Sequence, residues 1–298
     1  MNRIGLTLGP LLFNWSAERL RGFYEGVARH SAFDRVHLGE VVCGKRMPFS
    51  DRVWPELIGM LEDAGKEVVL STLALPATPR ERRSVLEICR DGHLVEINDL
   101  TGLPVRTGLP FVVGPLVNVY SEGAARFLAA RGAQTICMPV ELSLASIGAI
   151  AAACRDVEIE VFAFGRLPLA LSSRCYHARL HGLHKDSCQF VCERDPDGID
   201  VETLEGQPFL AANGIQTLSH GVHAFCPTPA EAAAARIRRL RLSPHSTDMV
   251  IAGDIYRAVL DGVTTPAQAL ARLRELRLPG ELVDGYARGA AGCSPAAP

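Results

Sequence analysis

Aromatic side chains are scarce, at 6% of the 298 residues, and neither sign of charge dominates: 31 Lys and Arg against 33 Asp and Glu leave a formal net charge of -2. Such a balance offers no electrostatic grip on a phosphate backbone. With few rings available to stack on bases, it argues against a stand-alone nucleic-acid binder. No acidic run is present that would act as a solvating tail. No apolar run reaches the roughly 20 residues that a membrane-spanning helix needs. The opening stretch MNRIGLTLGPLLFNW is broken by Gly, Pro and Asn, so it lacks the continuous apolar segment and cleavage site of a secretory signal. That predicts a cytoplasmic location. Neither HExxH nor GxSxG occurs, which removes the usual metalloprotease and serine-hydrolase signatures. Internal repeats are also lacking.

Hydrophobic residues make up 48% of the chain and charged residues 21%, enough for a sizeable core. Short β-rich runs alternate with helical stretches through residue 165. Strands are expected at Arg3–Leu8, Arg35–Gly39, Glu67–Leu73, Leu94–Ile97, Pro110–Val113, Gln134–Met138 and Glu158–Phe164. Helices are expected at Ala17–His30 behind an N-cap at Ser16, then at Trp54–Ala64, Pro79–Arg90, Glu122–Ala130 and Leu144–Cys154. Seven strands in this rhythm predict an α/β fold, a (β/α)8 TIM-barrel-like architecture. Irregularity is expected at the fourth crossover, Thr101–Gly108, which is too short for a full helix. A Cys-rich insertion follows strand 7. Beyond it, Pro229–Leu240 reads as an amphipathic helix and Pro266–Arg277 as another. The expected organisation is one barrel-like domain over 1–288, with a polar, aperiodic segment at 172–208, and a loose Ala-, Gly- and Pro-rich tail over 289–298.

Nine cysteines stand out in a chain expected in a reducing compartment, where metal or redox chemistry is a better first reading than disulfides. Cys175, Cys188 and Cys192 are spaced C-x12-C-x3-C in the aperiodic segment, an incomplete zinc pattern that needs a fourth soft ligand. Cys43 is the best candidate, since it lies just past the second strand and would meet Cys175 at the carboxyl-terminal mouth of a barrel. Four thiolates fit either zinc or an iron–sulfur cluster. Lys45, Arg46, Arg174 and Arg179 flank them and would offset a net negative cluster or bind an anionic substrate; their plainer reading is as solvated loop residues. Buried structural cysteine is the default for Cys89, Cys137 and Cys154, and Cys226 and Cys293 have weak claims as ligands. His177, His181 and His184 read first as surface histidines, and secondarily as substitute ligands or donors to the site. Glu40 and Glu141 each follow a strand end, as catalytic acids or as polar residues lining the mouth.

At these residues the sequence resembles the collagenase-like peptidase superfamily, peptidase family U-32, and within it the UbiV-like proteins of anaerobic ubiquinone biosynthesis. The stretches that carry the resemblance are LGEVVCGKR at 38–46, VLSTLAL at 69–75, GLPFVVG at 108–114, CMPVELS at 137–143, GRLPLALSSRCYHAR at 165–179, KDSCQFVC at 185–192, NGIQTLS at 213–219 and RLSPHSTD at 241–248. They are spread in order over residues 1–250. The resemblance implies a [4Fe–4S] cluster on Cys43, Cys175, Cys188 and Cys192, and a heterodimer with a homologous UbiU subunit. It also implies a UbiT-like lipid-carrier protein and a ubiquinone precursor as further partners. The function implied is that of an iron–sulfur subunit in an oxygen-independent hydroxylation system of ubiquinone biosynthesis. Wider relatives include RNA-base hydroxylases and peptidases, which are the alternative readings. An organic oxygen donor such as prephenate is the family expectation, with Arg46 and Arg174 as its candidate anchors.

Overall fold

The computed structural model describes residues 3–297. Twelve strands are formed among them: β1 (Gly5–Leu8), β2 (Arg35–Leu38), β3 (Glu67–Ser71), β4 (Leu94–Ile97), β5 (Phe111–Val113), β6 (Ala133–Cys137), β7 (Glu158–Leu171), β8 (Ile199–Glu202), β9 (Pro208–Asn213), β10 (Gln216–Ala224), β11 (Ile237–Leu242) and β12 (Leu282–Val283). Strands β1 to β7 pair in sequence order and in parallel, and β11 pairs in parallel with both β7 and β1. Eight parallel strands therefore close into a (β/α)8 barrel, as the rhythm of the sequence predicts. Among the described residues, no helix is long and apolar enough to cross a membrane.

The helices are α1 (Ala17–His30), α2 (Met47–Ser50), α3 (Trp54–Asp63), α4 (Pro79–Ile88), α5 (Leu103–Arg106), α6 (Glu122–Ala129), α7 (Leu144–Ala153), α8 (Tyr176–Leu180), α9 (Pro229–Ala234), α10 (Met249–Leu260) and α11 (Pro266–Arg274). Local chemistry sets their starts. Ser16 caps α1 through its hydroxyl, and Thr78, Thr228 and Thr265 each form a capping box with Glu81, Glu231 and Gln268. Outward residues of the strands, such as Leu6, Leu8, Val36 and Leu38, pack with inward residues of the helices, such as Tyr24, Val27 and Leu57, into one continuous core. The fourth crossover is reduced to a 3-10 turn at Leu100–Gly102 and the four residues of α5, the irregularity expected there.

Three expectations need correction. The helix read over Pro229–Leu240 stops at Ala234. Arg236 then takes a left-handed φ of 56°, and the following residues form β11, the eighth barrel strand. Its sequence IRRLRL carries arginines at inward positions, which disguised it as a polar helix face. The tail from Gly289 is docked in its described part: Ala296 is buried, its N–H donates to the Leu282 carbonyl at 2.9 Å, and Pro295 bridges to Val283. Its small residues let the chain turn back closely on itself, with the Ala290 N–H donating to the Gly285 carbonyl. Finally, β7 runs on past Phe164 to Leu171 and rises above the barrel. There it pairs with β10 in an antiparallel sheet that continues through β9 to β8. The insertion after strand 7 is thus a small lobe built on the barrel's carboxyl-terminal mouth.

Candidate functional site

The loop after β2 carries Cys43. Gly39 opens it with φ 132°, a conformation other residues rarely adopt, and any Cβ there would run into the Ser71 backbone. The buried Glu40 carboxylate then accepts from the N–H groups of Val42 and Cys43 at 2.8 and 2.9 Å, shaping the turn that presents the thiol. Burial pushes the Glu40 carboxyl up, against the pull of Arg46 and these two N–H donors. Cys175 caps α8 just beyond the end of β7, its sulfur accepting from the Ala178 N–H at 3.4 Å. Cys188 and Cys192 flank a second tight turn in which Gln189 and Phe190 both have left-handed φ, 49° and 54°. That local conformation folds the loop back so that both thiols turn inward.

Cys43, Cys175, Cys188 and Cys192 line one cavity together with Lys45 and Arg46. Its walls continue into an apolar cluster of Leu12, Val41, Val42, Ala74, Ala178 and Ile215. Lys45 ties the two cysteine loops together, its ammonium donating to the Lys185 carbonyl at 2.5 Å and pairing with Asp186 at 3.2 Å. Burial raises the Cys43 and Cys175 thiols above their ordinary range. Arg46 works against that at both, and the Ala178 N–H does so at Cys175. The environment therefore favours loss of these protons only when a cation replaces them.

Arg46 is 2% exposed. Its guanidinium donates to the Leu12 carbonyl and to Asn213 Oδ1, both at 2.9 Å, lies 3.9 Å from Glu40 and hydrogen-bonds Cys192. Its Nε has no partner. Arg46 is therefore not the open donor anchor expected of it: it is a buried cation against the thiols. Arg174 stands exposed, so the two arginines do not form one anion clamp. Glu141 is exposed and accepts from the Tyr120 hydroxyl at 3.0 Å. Arg179 and His184 are on the surface, as read. His177 is fully buried, contrary to the surface reading, because α8 turns it toward Asp195 and the Ala212 carbonyl. Cys89, Cys137, Cys154 and Cys226 are buried away from the four thiols, and Cys293 is exposed.

Below the mouth, the barrel is filled by ion pairs where branched apolar side chains are usual. Arg241 on β11 reaches Glu96 on β4 at 2.5 Å and Glu160 on β7 at 2.6 Å. Ser71 donates to Glu96 at 2.7 Å, and His37 Nδ1 stands 3.3 Å from the same carboxylate. One layer down, Arg35 pairs with Glu67 and reaches Thr135, while Arg239 pairs with Glu158. Burial alone would raise the Glu96 and Glu160 carboxyls, but Arg241 with His37 outweighs it, holding Glu96 well below the usual range and lowering Glu160 as well. Burial, with Arg241 adding to it, lowers His37 despite the pull of Glu96. Above this layer a small cavity is walled by Leu12, Val41 and Phe162 and presents Asn98, Gln216 and Arg241. The Gln216 Nε2 is buried without a partner. Leu12 and Val41 belong also to the apolar cluster of the cysteine lobe, so one layer of side chains separates this cavity from the thiols.

None of these interior residues was singled out in the sequence. The signal was there as polar residues two apart in short strands: Arg35 and His37, Glu67 and Ser71 (four apart), Thr135 and Cys137, Glu158 and Glu160, Arg239 and Arg241. In a strand that spacing marks one face, here the inner one.

A model of peptidase family U32 matches residues 25–220. Among solved structures, the chain is similar to the U32 peptidase Mk0906, with 14% identity and a TM-score of 0.47 over 83% of this chain and 95% of that one. It is similar also to the spore coat polysaccharide biosynthesis protein SpsE of Bacillus subtilis, with 13% identity and a TM-score of 0.47 over 99% of this chain and 75% of that one. The family match runs from within α1 to β10, taking in six of the eight barrel strands, β2 to β7, and all four cysteines of the cavity, well over half of the sequence. The chain belongs to peptidase family U32.

Proposed function

We propose that this chain binds a [4Fe–4S] cluster through Cys43, Cys175, Cys188 and Cys192 and acts as the iron–sulfur subunit of an oxygen-independent hydroxylation system in ubiquinone biosynthesis. The observation that carries the reading is the meeting of four thiols, from loops more than a hundred residues apart, in one largely apolar cavity at the barrel mouth. The donor set fits the group. Four thiolates on a cluster leave a net negative charge, and Arg46 supplies a buried cation with an unused Nε beside them.

When bound, the cluster would supply one-electron transfer at a potential set by burial and by hydrogen bonds to sulfur. Arg46 and the Ala178 N–H are the donors in place for that tuning. Because a hydroxylation moves two electrons and one such centre commonly moves one, a homologous UbiU subunit with its own centre completes the reading, with a UbiT-like carrier delivering the lipid precursor. Peptide hydrolysis, the activity in the family's name, would need an activated nucleophile or a metal with an open position, which four closed thiolates do not offer.

Deletion of the gene tests the pathway. Cells without this protein should lose ubiquinone under anaerobic growth and make it normally in air, and a plasmid copy carrying Cys188→Ala should fail to restore it. Loss of ubiquinone in air with normal anaerobic synthesis would overturn the assignment.

A further inference from the structure

A second group of ligand-type side chains lies beside the thiol cavity and is not used by the reading above. One nitrogen each of His177 and His181 and one oxygen of Asp195 all lie within 4.8 Å of one another. His177 Nε2 is 2.8 Å, and His181 Nε2 3.6 Å, from the same Asp195 oxygen. The two rings stack at 19° with centroids 5.5 Å apart. Positions 177 and 181 are one helical turn apart, so both imidazoles leave the same side of α8. His177 is completely buried, and its Nδ1 lies 3.2 Å from the Ala212 carbonyl. A carbonyl only accepts, so Nδ1 donates to it, and Nε2 points at Asp195 and His181; its 2.8 Å contact with the Asp195 carboxylate is a hydrogen bond whose proton a bound cation would displace, leaving Nε2 aimed as histidine ligands of metals are.

We infer that His177, His181 and Asp195 form a cation site, separate from the four thiols, for a divalent first-row transition metal. Two imidazoles and a carboxylate favour such an ion over Mg²⁺ or Ca²⁺, which take all-oxygen shells. The side chains of His181 and Asp195 are 28% and 26% exposed, so the ion can exchange with solvent and complete its shell with water. The site joins the helix that follows Cys175 to the residue three beyond Cys192. A bound ion therefore closes the loop that carries three of the four thiols, whatever those thiols hold.

Cobalt(II) is the probe that separates this site from the thiols, because cobalt on thiolate shows intense sulfur-to-metal charge transfer and cobalt on nitrogen and oxygen shows only weak visible bands. Full-length protein purified anaerobically is equilibrated with Co²⁺ and dialysed, and its cobalt and spectrum are measured. The expected result is about one tightly held cobalt per chain with nitrogen–oxygen bands. His181→Ala and Asp195→Asn should each weaken its retention roughly tenfold or more. His181→Ala should unfold at nearly the wild-type temperature when no cobalt is added, since that ring is partly in solvent. Cobalt found only with the sulfur signature would overturn the inference. So would nitrogen–oxygen cobalt held equally by the wild type and both variants, which would make it adventitious.

Discussion

Arg241 decides the chemistry of the barrel interior. Among the described residues it is the one arginine or lysine paired with both Glu96 and Glu160, and without it two carboxylates would face each other's field in a dry space. Replacing it with Met should cost about 3–5 kcal/mol, the range for breaking a buried pair from one side. The pH dependence should also change sign. In the wild type both carboxyls titrate below their ordinary 4.5, so their contribution is fully present above that value and is lost as pH falls through the lower folded values. In Arg241→Met, burial without the cation raises both, the folded state binds more protons than the unfolded one, and stability should fall as pH rises from about 5 to about 8. Urea melts at both ends of that window check this; a variant whose stability is flat there would show that another group compensates. Gly214 is a second single-residue test. Its φ is 61°, and an added Cβ would stand 2.8 Å from the Arg46 guanidinium. Gly214→Ala should therefore cost about 1–2 kcal/mol and displace Arg46 from its place beside the thiols.

The elements differ in how far the sequence discloses them. Strands β1 to β7 were legible because short apolar runs alternate with helical stretches, and the N-cap at Ser16 and the helix start at Pro79 are ones that the structure keeps. Strand β11 was not. Its arginines satisfy carboxylates on β3, β4 and β7, partners distant in sequence, so nothing local says that they point inward. The lobe strands β8 to β10 were missed for a related reason. They depend on pairing with an extension of β7 that has no separate signal at its end. In the candidate site, the four cysteines were legible from their spacing and position after strands. The role of Arg46 was not, because its burial depends on Leu12 and Asn213, which come from opposite ends of the chain. The box at α9 tests how β11 is launched. Thr228→Ala removes the hydroxyl that accepts from Glu231, and should cost about 1 kcal/mol by thermal or chemical unfolding with the thiol cavity unaffected. Should that variant also lose the iron proposed for the cavity, barrel closure and site formation would be more tightly linked than the geometry implies.

For the whole molecule, the account joins two parts with different constraints. The barrel is rigid, closed and filled with paired charges. The lobe after β7 is tied to the barrel by β10 pairing along β7 and by side-chain contacts from loops: the Lys45 bridge, Arg46 and Leu12 on Asn213, the Trp15 indole donating to the Pro196 carbonyl at 2.8 Å, and the Ser246 N–H donating to Asp197 at 2.8 Å. A cluster binding four thiols, one from a barrel loop and three from the lobe, would fasten the two together, so its loss should expose the lobe before the barrel. Limited proteolysis after chelation should then cut within 172–208 while the barrel persists. The most direct test of the central claim is the iron and acid-labile sulfide content of the chain purified and reconstituted without oxygen. The account predicts about four irons and four sulfides per chain, falling to a small remainder in each of Cys43→Ala, Cys175→Ala, Cys188→Ala and Cys192→Ala and unchanged in Cys89→Ala. About one zinc per chain with no iron, or full iron retained in Cys43→Ala, would contradict it.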